Sequence, residues 1–135
     1  MKTLTMPATI ESIPTVTAFV DETLEALDCA MKAQMQIDVA IDELYANIAS
    51  YAYAPGTGDA TVSLDFDEST RMFSITFEDT GVPYDPLKKD DPDVTLSVEE
   101  REIGGLGIFL VKKTMDAMEY VRLGDRNVLT IRKKI

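Results

Sequence analysis

The sequence predicts an α/β (α+β) two-layer sandwich: one mixed, mostly antiparallel sheet with helices packed on one face. Three observations predict it. Short stretches alternate apolar and polar residues with period two, so each strand has one face to bury. Two longer stretches place apolar residues at helical spacing. With 135 residues, 45% of them hydrophobic, the chain has material for one domain, 1–135, around a single core.

The elements follow in order. Thr3 to Ile10 alternates, with Leu4, Met6, Ala8 and Ile10 on one side. Pro7 has no N–H to give a ladder, so this strand belongs at an edge. Ser12 precedes Ile13, Val16, Phe19, Val20, Leu24 and Leu27, which recur as on a helix, and Pro14 suits its first turn. A second helix covers about Ala33 to Ala54, with Ile37, Ala40, Ile41, Leu44 and Ile48 as its apolar stripe and Pro55-Gly56 as its stop. Glu43 and Asn47 lie one turn apart on it, at the border of the stripe. Thr61 to Phe66 and Met72 to Phe77 alternate across the polar connection Asp67-Glu68-Ser69-Thr70, as a hairpin does. Leu87 to Ile103 is polar and poorly periodic, a pattern typical of a lid or binding loop. Gly104-Gly105-Leu106-Gly107 then opens a helix that runs to about Ala117. Strands Glu119 to Leu123 and Val128 to Lys133, joined by Gly124-Asp125-Arg126-Asn127, close the chain.

Composition excludes several functions. The net charge is −11, from 13 basic and 24 acidic residues, which disfavours a nucleic-acid binder. There is no histidine, so general-base chemistry falls to a carboxylate or a lysine. Cys29 stands alone, so no internal disulfide forms. With neither a bilayer-length apolar run nor a signal-like opening, the expectation is a soluble cytoplasmic protein without a membrane partner.

The glycine cluster has two readings. It is an ordinary turn, or it is an anion site, where backbone without Cβ approaches phosphate at the positive end of a helix. Asp79-Thr80-Gly81 likewise reads either as a β-turn or as part of a pocket at the end of a strand. Taken together, Glu43 with Asn47, Asp79 with Gly81, the long polar segment and the glycine cluster resemble the ATPase fold shared by DNA gyrase, the heat-shock chaperone of that class, sensor histidine kinases and the MutL repair protein. This is the histidine-kinase-like ATPase (Bergerat) fold of the GHKL superfamily. Within it the chain most resembles the bacterial anti-sigma-factor serine/threonine kinases. Ile103-Gly104-Gly105-Leu106-Gly107-Ile108-Phe109-Leu110-Val111, Asn127-Val128-Leu129-Thr130 and Tyr84-Asp85-Pro86 carry that likeness. Many kinases of this branch carry a histidine after the helical asparagine, where this chain reads Ile48-Ala49-Ser50-Tyr51-Ala52-Tyr53.

The resemblance implies ATP and Mg²⁺ as cofactors. It matches Asn47 to the metal ligand, and a neutral side-chain oxygen suits that ion. It matches Glu43 to the catalytic carboxylate, which takes a proton from the attacking hydroxyl. It matches Asp79 to the acceptor for the adenine amino group, with Gly81 letting the backbone pass the base. Gly104, Gly105, Leu106, Gly107 and Ile108 would offer the phosphates their backbone, and Thr130 would lie near the adenine. Arg101 is assigned to the terminal phosphate on lid closure, with pairing to Glu99 or Glu100 as the alternative. The nucleotide would sit between the helices and the lid, away from the sheet. The implied substrate is an anti-sigma-factor antagonist of the STAS type, with a sigma factor and a second copy of the chain as further partners. An ATP-gated binding module or a slow ATPase are the alternatives, and only the kinase demands Glu43 as base.

Overall fold

A computed structural model describes residues 2–88 and 105–135. The elements run β1 (Lys2–Pro7), a 3-10 turn (Ile10–Ser12), α1 (Ile13–Ala26), α2 (Met31–Tyr51), β2 (Asp59–Asp67), β3 (Met72–Asp79), a 3-10 turn (Pro86–Lys88), α3 (Gly105–Thr114), β4 (Ala117–Leu123) and β5 (Arg126–Lys134). The strands form one sheet in the order β1-β2-β3-β5-β4. The expected α/β sandwich is present, but the sheet is not mixed: all four described pairings are antiparallel. Two tight hairpins and the two edge-to-centre returns leave no parallel neighbour among these strands.

Alternation explains the layering. Val62 and Leu64 on β2, Phe73, Ile75 and Phe77 on β3, and Leu129 and Ile131 on β5 are buried on one side. Val16, Val20 and Leu24 of α1 and Ile37, Ala40, Ile41 and Leu44 of α2 join them in one core. The other face is polar, with hydroxyl pairs Thr5–Thr61 at 2.9 Å and Thr76–Thr130 at 3.1 Å. Tyr45 is fully buried, yet its hydroxyl donates to the Pro7 carbonyl at 2.8 Å, and burial pushes its pKa up to about 12. That bond ties α2 to the edge strand, which ends at Pro7 rather than running to Ile10.

Three boundaries differ from the sequence reading for physical reasons. Helix α2 stops at Tyr51, short of Ala54, because the Ala52 carbonyl is taken by the Val82 N–H at 2.8 Å. Helix α3 stops at Thr114, short of Ala117, which already begins β4. The β4–β5 connection is two residues, since Leu123 pairs with Arg126 and Gly124 takes φ +62; such short hairpins need a positive φ. Arg126 and Asn127 therefore belong to β5, not to the turn.

Candidate functional site

A cleft opens where α2 leans over the end of the sheet. Leu44, Asn47 and Ile48 line it from α2, Phe77 and Asp79 from β3, and Asn127 and Leu129 from β5, with Tyr84 and Tyr120 at its sides. The cleft is thus floored by the sheet's buried face. The Tyr84 ring stacks on Tyr51, with centroids 5.0 Å apart and planes at 25°. Apolar walls with one carboxylate at the end suit a flat, largely apolar ligand that presents a donor.

That carboxylate is Asp79, the last residue of β3, only 6% exposed. Its Oδ1 accepts from the Gly81 N–H at 2.9 Å and from Asn127 Nδ2 at 2.8 Å. Both of these bonds to the Asp79 carboxylate end on this one oxygen. A carboxylate has room for about four donors, so Asp79, a lining residue of the cleft, retains capacity on Oδ2. Gly81 is also held close to α2. A Cβ there would lie 2.1 Å from the Ala52 carbonyl oxygen. Its close approach is to the end of α2, and Arg122 Nη1 clamps its carbonyl from the other side at 2.8 Å.

Glu43 and Asn47, one turn apart on α2, are both half-buried, and Asn47 lines the cleft. The Glu43 carboxylate lies against α3: a Cβ on Gly107 would fall 1.9 Å from Glu43 Oε2. The glycine is required because the carboxylate occupies the place of its side chain. Gly105, Leu106 and Gly107 form the first turn of α3, where backbone N–H groups have no intrahelical partner. Ile108 is 2% exposed, with its side chain in the core beside Val111, so it anchors the helix. Gly104, Arg101 and the lid segment beyond Lys88 lie outside the described residues.

Thr130 is not at the cleft. It sits opposite Thr76 on the polar face of the sheet, and its hydroxyl bonds that threonine. Strand alternation turns residue 130 away from the side carrying 127, 129 and 131. The β5 residue beside Asp79 is Asn127, its register partner, to which the sequence reading gave no role. The signal was available: Leu129 and Ile131 mark the buried side, and 127 shares their parity.

A family model for the histidine kinase-like ATPase domain matches residues 6–133. The chain belongs to this histidine kinase-like ATPase family. The serine/threonine-protein kinase BtrW of Bordetella bronchiseptica is 30% identical over 100 residues, 74% of this chain and 70% of that protein. Family and relative together give the chain an ATP-binding, kinase-like role. Among the described residues no helix is long and apolar enough to cross a membrane. Nor do these residues gather three or more His, Cys, Asp or Glu side chains fit to hold a metal ion. Mg²⁺ characteristically uses few protein ligands and leans on a nucleotide's own oxygens. Asn47, a neutral oxygen donor on the cleft wall, fits that demand.

Proposed function

We propose that this protein is an ATP- and Mg²⁺-dependent serine/threonine kinase whose substrate is an anti-sigma-factor antagonist domain of the STAS type. The observation that carries the proposal is the Glu43 carboxylate against the Gly107 backbone, one helical turn from Asn47. It sets a carboxylate against the start of a helix, one turn from an amide oxygen that lines the cleft. In this reading the adenine slides between the α2 side chains Leu44 and Ile48 and the floor residues Phe77 and Leu129, and its amino group donates to Asp79 Oδ2. The phosphates lie at the first turn of α3. Asn47 holds Mg²⁺, which supplies charge neutralisation for phosphoryl transfer. Glu43 orients the acceptor hydroxyl and takes its proton. Arg101 then reaches the terminal phosphate from the lid. Such a kinase acts in the cytoplasm, with a sigma factor and a second copy of itself as partners. The name of the Bordetella relative supports the kinase chemistry; the antagonist as acceptor is what the resemblance to the anti-sigma-factor kinases implies.

The test is single-turnover transfer from labelled ATP to a purified STAS-type domain from the same host. Glu43→Gln keeps the side chain's shape and removes the basic carboxylate. It should leave ATP affinity within about twofold and slow transfer by on the order of 10²-fold or more. Asn47→Ala should weaken Mg²⁺-ATP binding and transfer together. Transfer at the wild-type rate by Glu43→Gln refutes Glu43 as base. ATP-dependent retention of the domain without any transfer by wild type means a gated binding module instead.

A further inference from the structure

We infer that Asn127 is the positioning residue that decides which base the cleft accepts, by holding Asp79 as a hydrogen-bond acceptor. The inference rests on the adenine-nucleotide reading above. Asn127 is 5% exposed and lies directly across from Asp79 in the β3–β5 register. Its amide is used on both sides. Nδ2 donates to Asp79 Oδ1 at 2.8 Å and to the Val82 carbonyl at 2.8 Å. Oδ1 accepts from Arg122 Nη1 at 3.1 Å, from the Tyr84 N–H at 3.4 Å and from the Tyr120 hydroxyl.

Acceptors crowd one end of this amide and donors the other, so only one orientation satisfies all five contacts. The consequence falls on Asp79. One of its oxygens is filled by two donors, the Asn127 amide and the Gly81 N–H. The oxygen left for the cleft is then an acceptor. It matches a 6-amino purine, which donates there, and opposes a 6-oxo purine, which brings a second acceptor. Arg122 strengthens the arrangement by bonding both the Asn127 amide oxygen and the Gly81 carbonyl. The cation fixes Asn127 and the loop after Asp79 as one unit.

Replacing the amide by a carboxyl inverts this logic. In Asn127→Asp an oxygen faces Asp79 Oδ1 and the Val82 carbonyl. Two carboxyl groups in contact share a proton. The shared proton lets the pair donate as well as accept, so a 6-oxo base becomes acceptable while that proton is held.

The experiment is calorimetric titration of the whole chain with ADP, GDP and IDP at pH 6, 7 and 8.5, with Mg²⁺ present. Wild type should prefer ADP to IDP by a ratio that stays flat with pH. In Asn127→Asp the ratio should shrink by about tenfold or more at pH 6 and recover part of the way by pH 8.5. Asn127→Ser adds no charge and carries the test if Asn127→Asp does not fold. It should narrow the ratio by several-fold without pH dependence. A merely structural asparagine would weaken all three ligands equally, so unchanged ADP/IDP ratios in the variants overturn the inference alone. Failure of wild type to bind any of the three overturns the nucleotide reading and this inference with it.

Discussion

Gly107→Ala separates the site from the fold. The added Cβ would lie 1.9 Å from Glu43 Oε2 and 2.3 Å from its carboxyl carbon. Ordinary contact begins near 3.4 Å, so the oxygen must retreat by about 1.5 Å, the difference of those two distances. The far end of a glutamate can swing away, so the fold loses little. Alanine in a helix is also better than glycine by ~0.5–1 kcal/mol. The net stability change is expected between zero and ~1 kcal/mol in favour of the variant. Activity goes the other way. A reacting group misplaced by about 1 Å costs ~10²-fold in rate, and Glu43 moves further than that. The assays are urea unfolding, which should show an equal or higher midpoint, and single-turnover transfer, which should fall by about two orders of magnitude. A variant that transfers phosphate at the wild-type rate refutes the placement of Glu43. One destabilised by more than ~2 kcal/mol refutes the claim that Gly107 serves the site rather than the packing.

Gly81→Ala gives the opposite signature. Its Cβ would meet the Ala52 carbonyl oxygen at 2.1 Å, the carbonyl carbon at 2.5 Å and Cα at 2.7 Å. Backbone cannot swing aside, so urea unfolding should show a loss of ~1–3 kcal/mol, as for overpacked cores; an unchanged midpoint would contradict the contact. The Asp38 carboxyl is pushed up from 3.8 to about 7, first by burial and then by the Asp21 carboxyl that shares its hydrogen bond, with Asp42 and Glu25 adding like charge. A raised carboxyl holds its proton more tightly in the folded state, so its contribution is full in acid and is lost as pH rises through about 7. A shift of roughly three units amounts to ~4 kcal/mol at full weight, and solvent screening at a half-buried site cuts that to ~1–2 kcal/mol. Asp38→Asn should therefore stabilise the protein by that amount at pH 8 and flatten the fall in stability between about pH 4 and 7. Thermal melts that track wild type across this range would count against it.

Much of the fold was legible because its elements are amphipathic. Leu4 and Met6, the α2 stripe from Ile37 to Leu44, and the alternation in β2 and β3 each reveal one buried side. The end of α2 was not legible, because Pro55-Gly56 is a valid stop that a tertiary bond from Val82 to Ala52 pre-empts. For the same reason Gly81 reads as a turn residue, although the backbone it must avoid lies twenty-nine positions earlier in the chain. At the site, Glu43, Asn47 and Asp79 were recognisable from motif and helical phase. The buried parity of Asn127 can be read from Leu129 and Ile131, but its partner is hidden, because cross-strand register with Asp79 is a pairing that neither segment displays alone. Thr130 was misplaced on the other face because a motif match gives position along the strand and ignores which way the residue points.

The central claim is that the cleft ending at Asp79 binds the base of ATP. Isothermal titration calorimetry with Mg²⁺ measures it directly, using ATP and GTP against wild type and Asp79→Asn. Wild type should bind ATP at one site per chain and GTP at least ~10-fold more weakly. Asp79→Asn should lose most of that preference, because an amide can donate as well as accept. Absence of ATP binding to wild type, or an ATP preference that survives intact in Asp79→Asn, would contradict the account.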